Sequence, residues 1–206
     1  MDPRFDSDRL EAFSDGVFAV AITLLVLEIS VPEESLDDLW SGILDQWPSY
    51  LAYGTSFWTI GGLWVIHHGI FRRLQYADVS LMRMNLFLLF AVTFLPFPTK
   101  LMAEAFESAG AERVAVLFFA GTLLVIGTTV TVIARYAAGR EGLLKEGVDR
   151  SELHAIASTG EPSLAFNGAL VALAIFAPQI AALGLFAASL LVVLLPSRAE
   201  RRARRV

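Results

Sequence analysis

Arg9-Leu-Glu-Ala-Phe13-Ser14-Asp15-Gly16 runs without a break into Val17-Phe-Ala-Val20-Ala-Ile-Thr23-Leu24-Leu-Val-Leu27. The second part reads as the body of a membrane helix. The first part puts an arginine, a hydroxyl and a carboxylate at its mouth. A charged residue at the centre of such a helix costs about 2.5–3.5 kcal/mol on insertion scales unless something pairs with it. Asp15 is therefore a packing or functional device, and neighbouring helices are expected to supply its partners.

The rest of the chain fits a membrane setting. Its 206 residues are 55% hydrophobic and 18% charged, against about 45–50% and about 25% in soluble domains. The apolar excess lies in long runs, so the expected fold is an all-α integral membrane protein built as one bundle. Cysteine is absent, which excludes disulfides, thiol chemistry and the common zinc sites.

A span needs about 20 apolar residues to cross about 30 Å of hydrocarbon. Six spans are predicted, over about 8–29, 50–71, 81–102, 113–136, 163–177 and 179–195, followed by a basic tail, 196–206. Pro32 stops the first span, and Pro96 and Pro98 bend the end of the third. The last apolar stretch, Ser163 to Leu195, has Pro178-Gln179 at its middle. A proline there breaks a helix at about 3 kcal/mol, so a hairpin of two short helices is expected.

Charge agrees with that division. Lys and Arg mark cytoplasmic loops. Arg4, Arg9, Arg72, Arg73, Arg83, Arg135, Arg140, Lys145, Arg150, Arg198, Arg201, Arg202, Arg204 and Arg205 all fall on one side, which is 14 of the 16 basic residues; only Lys100 and Arg113 fall opposite. Both termini are expected in the cytoplasm, in a multi-pass protein of the cell membrane. Acidic residues beside the first arginines and no small-residue cleavage site argue against a signal peptide. The stretch from Ala137 to Glu161 is expected to be a polar cytoplasmic loop with room for a short surface helix. The tail fixes topology, and its arginines also suit anionic lipid.

At 100° per residue, Phe13, Gly16, Val20, Leu24 and Leu27 share one stripe of the first helix, with Thr23 beside it. Two readings stay open: ordinary packing or lipid contact, and a pore lining in which an apolar ring closes the path by dewetting. The first external loop carries Glu28, Glu33, Glu34, Asp37, Asp38 and Asp45 with no basic residue before the second span. Such a group concentrates cations by electrostatic focusing; alternatively, topology merely keeps Lys and Arg away. Trp64, His67 and His68 lie at a depth similar to Arg9, Ser14 and Asp15, and a hydrogen-bonded network among them would satisfy the carboxylate. Adjacent histidines point about 100° apart and make a poor metal pair. Asn85 is expected to bond across helices.

Other signatures are missing. There is no phosphate-binding glycine loop, no recognisable Ser-His-Asp set, no arginine ladder and no Thr-Val-Gly-Tyr-Gly filter. No enzyme activity, cofactor or nucleic-acid partner is expected. A proton-coupled or solute carrier using Asp15 and His67/His68 is the alternative to a channel.

Arg9 with Phe13-Ser14-Asp15-Gly16 and the following Val17 to Glu28 resembles the signature first helix of the transmembrane-protein-175 potassium channels in their prokaryotic form. Trp64 through His67-His68 to Phe71, and Asn85 through Pro96-Phe97-Pro98-Thr99, are similar to that family's second and third helices. The resemblance implies a homotetramer with six helices per subunit, whose four first helices surround a potassium path without a pore loop. It further implies hydrophobic rings at Val20, Leu24 and Leu27, a pore threonine at Thr23, and potassium in the pore as the only bound metal ion. Arg9, Ser14, Asp15 and His67 or His68 would hold the pore helix at its angle. The first ring is often isoleucine or leucine in the family, and Val20 is smaller. This chain carries the signature once, so four copies must come from assembly.

Overall fold

The computed structural model describes residues 5–30, 33–105, 108 and 110–194. Arg4, Pro32 and the basic tail from Arg198 to Arg205 lie outside them, as do the side chains of Glu33 and Glu34. The chain is helical almost throughout. A two-residue strand, β1 (Phe5–Asp6), leads into α1 (Ser7–Leu24), which tightens into a 3-10 turn at Leu25–Glu28. A second 3-10 stretch, Glu33–Asp38, precedes the short α2 (Leu39–Asp45) and then α3 (Trp47–Phe71). After β2 (Tyr76–Ala77) come α4 (Val79–Phe94), α5 (Pro96–Ala105), α6 (Ala111–Ala138), α7 (Arg150–Ala174) and α8 (Pro178–Leu194).

Short-range chemistry sets most of these boundaries. Asp6, Asp78 and Asp149 each turn a carboxylate onto the first free N–H groups of α1, α4 and α7, the usual work of an N-cap. Hydrogen bonds from Ser151 hold the Asp149 carboxyl below the ordinary carboxylate range. Asp78 also accepts the Tyr136 hydroxyl at 2.7 Å, which ties the start of α4 to α6. Gly110 enters α6 at φ +100°, a conformation that side chains rarely tolerate.

Among the described residues, three helical stretches are long and apolar enough to cross a membrane: Ser7–Glu28, Val79–Ala105 and Ala111–Ala138, with a shorter apolar helix at Pro178–Leu191. The third predicted span is therefore interrupted at Leu95, where Pro96 opens α5, rather than only bent at its end. α6 is the hub, packed on α7 along its length and also on α4, α5 and α8. Phe119, Ala120, Ile126 and Ile133 of α6 are buried in the common core with Phe18, Phe71 and Leu88.

The polar stretch before the last hairpin is a loop only in part. A 3-10 turn at Glu141–Leu143 and an irregular link over 144–149 lead into the first half of α7, a longer helix than expected, which continues through Pro162. Leu153 and Ala157 sit four residues apart and are buried against the core, so this half has an apolar face despite its charges. Arg73 binds Glu152 at 2.8 Å and Arg135 binds Glu161, fastening the outer face to α3 and α6. α7 approaches α6 so closely that a Cβ on Gly160 would stand 2.5 Å from the Thr131 hydroxyl. Pro178 starts α8, and α7 and α8 pack on each other, but the helix before the break is the 25-residue α7 and not a short one.

A small knot closes the end of the molecule from which α1 rises. β1 pairs antiparallel with β2, Phe5 opposite Ala77. The Ser7 hydroxyl donates to the Leu74 carbonyl at 2.5 Å, the Gln75 N–H donates to the Leu143 carbonyl at 2.8 Å, and the Lys145 N–H donates to the Arg73 carbonyl at 3.0 Å. The Lys145 ammonium lies 3.5 Å from Asp8. The first residues of α1 are thus fixed to both the α3–α4 and the α6–α7 connections.

Candidate functional site

α1 has two unlike faces. Ser7, Ser14, Phe18, Ala21 and Leu25 are buried, and their spacing of three, four and seven residues is that of one helical face. The other side shows Phe13, Val20, Leu24 and Leu27 at 54, 55, 42 and 72% exposure, with Thr23 also exposed and its hydroxyl donating to the Val20 carbonyl at 2.9 Å. Only 22% of this span's apolar window is buried, against 50% and 44% for the other two long spans. The most signature-rich helix is therefore the least buried of the three long spans.

The buried face is locked by a polar triad. The Asn85 side-chain amide of α4 donates to the Ser14 hydroxyl at 2.9 Å, and its oxygen lies 2.8 Å from His67 Nε2 of α3. The Ser14 hydroxyl passes its own hydrogen to the Leu10 carbonyl at 2.8 Å. Asn85, Ser14 and His67 are essentially inaccessible. The His67 ring stacks on Phe71 at 4.2 Å and tilts against Phe18 at 5.3 Å. With both faces covered and Nε2 committed to Asn85, His67 serves as a fixed cross-brace between three helices.

A second, shallower set lies beside it. The Trp64 indole N–H donates to Asp15 Oδ1 at 2.8 Å, so Asp15 is half-buried and its hydrogen-bond partner is a tryptophan. The Trp64 ring stacks on His68 at 5.7 Å, and His68 Nδ1 stands 2.8 Å from Glu11 Oε1. The expected single network is thus two sets. Arg9 and Phe13 belong to neither: both are exposed, and Arg9 forms no salt bridge among the described residues. Arg9 points away because α1 has only one inward face and Ser14 occupies it. Glu11 is the member that sequence reasoning missed; its place four residues before Asp15 on a helix was the available signal.

The external acidic group is also partly spoken for. Glu28 lies 3.8 Å from the Lys100 ammonium of α5, which also approaches Glu104 at 3.9 Å. Asp38 caps α2 through the Ser41 N–H at 3.2 Å, while Asp37 is exposed. A shallow groove of about 360 Å³ opens here, lined by Leu24, Leu27, Glu28, Phe94, Phe97 and Lys100 among others. It joins the top of the exposed α1 stripe to the α4–α5 break.

Comparison with known proteins places this arrangement. A family model described as the endosomal/lysosomal potassium channel TMEM175 matches residues 9–96, which hold all but the first two residues of α1, both polar sets and α4. A potassium channel of Chamaesiphon minutus is 46% identical over 154 residues, covering 73% of this chain and 75% of that protein. This chain belongs to the TMEM175 family. A relative from Streptomyces collinus, also named a potassium channel, is 48% identical over 111 residues, 53% of this chain and 54% of the relative. The crystal structure of a lysosomal potassium-selective channel TMEM175 homolog from Chamaesiphon minutus superposes with a TM-score of 0.82 at 38% identity, covering 91% of this chain and 96% of that one. TMEM175 proteins are ion channels and not enzymes. With its apolar helices, this member is a multi-pass membrane protein.

Proposed function

We propose that this TMEM175 protein is a potassium-preferring cation channel in which α1 of four copies surrounds the conduction path. The observation that carries the proposal is the unpartnered apolar stripe of α1, bearing Val20, Leu24 and Leu27, on a helix whose opposite face is pinned by Ser14, Asn85 and His67. The names of the relatives, as potassium channels, support the ion. Cyclic assembly gives each copy the same surroundings and turns one exposed stripe into stacked rings. An apolar ring strips water from a cation and so closes or throttles the path. Thr23, one position from Leu24, offers an oxygen between rings. Val20 is the smallest ring residue, and it sets the widest of the three constrictions.

Six spans with both termini in the cytoplasm follow from the distribution of Lys and Arg. The partners are then other copies of the chain, membrane lipid and monovalent cations. Asp37 and Asp38, with Glu33 and Glu34, concentrate cations at the outer mouth, while Glu28 is held by Lys100. A carrier built on Asp15 and His67/His68 is not supported by the geometry. Asp15 accepts from Trp64, and His67 is enclosed between Phe71 and Phe18.

The test is potassium flux into liposomes from purified protein. Leu24→Ala with Leu27→Ala should raise flux and weaken discrimination against sodium, because shorter side chains leave a wider, wetter neck. Flux and selectivity both unchanged, with the double variant correctly assembled, would put the stripe against lipid and end the proposal.

A further inference from the structure

Three side chains near the foot of α1 form a cluster of a different kind. Glu11 and Asp15, four residues apart, share a helix face, and His68 meets them from α3. One donor atom from each lies within 4.8 Å of the other two, and all three residues are half-buried. His68 Nδ1 is 2.8 Å from Glu11 Oε1, yet this shielded nitrogen makes no aligned hydrogen bond to it. The ring nitrogen faces the carboxylate without being consumed by it.

The surroundings hold these donors in place. The Trp64 N–H occupies Asp15 Oδ1 at 2.8 Å, which leaves the second carboxylate oxygen for another ligand. The Trp64 ring lies nearly parallel to His68, at 27°, and sets the plane of the imidazole. Hydrogen-bonded carboxylates and oriented imidazoles are the outer-shell supports that metal ligands carry.

We propose that Glu11, Asp15 and His68 bind a divalent transition metal of the zinc class, which clamps α1 to α3. One imidazole nitrogen with two carboxylate oxygens favours zinc, cobalt or nickel over potassium and magnesium, which take oxygen ligands. Two carboxylates balance the charge of a divalent ion. Three protein ligands with a water in the fourth position make an open tetrahedral site. Metal–donor distances of about 2.0–2.2 Å put tetrahedral donors about 3.4 Å apart. The 2.8 Å Glu11–His68 separation must open slightly, which rotation of the long Glu11 side chain allows, and donors up to 4.8 Å apart must close on the ion. His67 is not part of the cluster: its Nε2 is bonded to Asn85 and its ring packs against Phe71 and Phe18. His154, on α7, is not part of the cluster.

The probe is Co2+, a coloured substitute for zinc, added to the full-length protein in detergent. One Co2+ per chain should bind, develop visible absorption from imidazole and carboxylate ligation, and be displaced by Zn2+. Glu11→Gln and His68→Asn should each weaken binding at least tenfold, while His154→Asn should leave it unchanged. Because His68→Asn also alters packing, melting temperature is a second readout: Zn2+ should raise it by a few degrees in the unaltered protein and not in Glu11→Gln. The site is refuted by undiminished Co2+ binding in Glu11→Gln and His68→Asn, by loss of binding in His154→Asn, or by the absence of both colour and thermal shift in the unaltered protein.

Discussion

Asn85→Leu is expected to lower the melting temperature and the assembled fraction of the protein markedly, although the new side chain is of similar size and apolar. Asn85 bridges the Ser14 hydroxyl and the His67 ring with one amide. Leucine fills the space but leaves His67 without a partner, and Ser14 with only its bond to the Leu10 carbonyl, in a region closed to water. His67 suffers most. Its Nδ1 already has no hydrogen-bond partner, and the change would strip Nε2 as well. An orphaned buried polar group costs about 1–3 kcal/mol, and interhelical bonds measured in a membrane protein average about 0.6 and reach about 1.7 kcal/mol. A total loss of about 1–3 kcal/mol follows. At about 2–4 °C per kcal/mol for a chain of this length, the melting temperature falls by roughly 2–12 °C. Thermal unfolding in detergent, with size-exclusion chromatography for assembly, measures both. An unchanged melting temperature would mean that the triad does not hold α1 in place.

Leu24→Ser should do the reverse: leave stability nearly untouched and raise potassium flux by about tenfold. Leu24 is 42% exposed and faces away from the core. Surface substitutions of this kind usually change stability by less than about 0.5 kcal/mol. In a closed apolar ring, however, four hydroxyls would replace part of a dehydrated ion's lost water. Lowering the barrier by about 1.4 kcal/mol multiplies the rate by about ten. Liposome flux and a melting curve on the same preparation separate the possibilities. Raised flux with an unchanged melting temperature places Leu24 at the constriction; unchanged values for both place it in lipid; a lowered melting temperature places it in a packed interface.

Much of this was legible in the chain itself, for stated reasons. The α1 stripe follows from helical periodicity, and the structure leaves Phe13, Val20, Leu24 and Leu27 on one exposed face. The hairpin at Pro178 follows from the missing N–H of proline. Asn85 was marked by its polarity inside an apolar run. The full length of α7 was not legible, because polar and charged residues interrupt the few apolar ones, Leu153, Ile156 and Ala157, that seat its first half. Its helix is held by ion pairs to Arg73 and Arg135 from distant parts of the chain, and such pairings leave no local pattern. The same holds for Glu28 with Lys100 and for His68 with Glu11. Periodicity identifies a face, whereas a long-range partner is chosen by the fold. Arg9 shows the limit from the other side: depth and the resemblance group it with Ser14 and Asp15, but helical geometry turns it outward.

The β1–β2 knot has a mechanical corollary. With Ser7 bonded to Leu74 and Asp8 beside Lys145, α1 behaves as a post set in a socket, and any lean that it shares with the helices behind it grows towards the far tip. At 1.5 Å per residue, a lean of ~5° about Ser7 carries Leu27 by ~2.6 Å but Val20 by only ~1.7 Å. Spin labels at position 27 should therefore report a wider spread of distances between copies than labels at position 20. Equal spreads would mean that the post shifts bodily and the socket is loose.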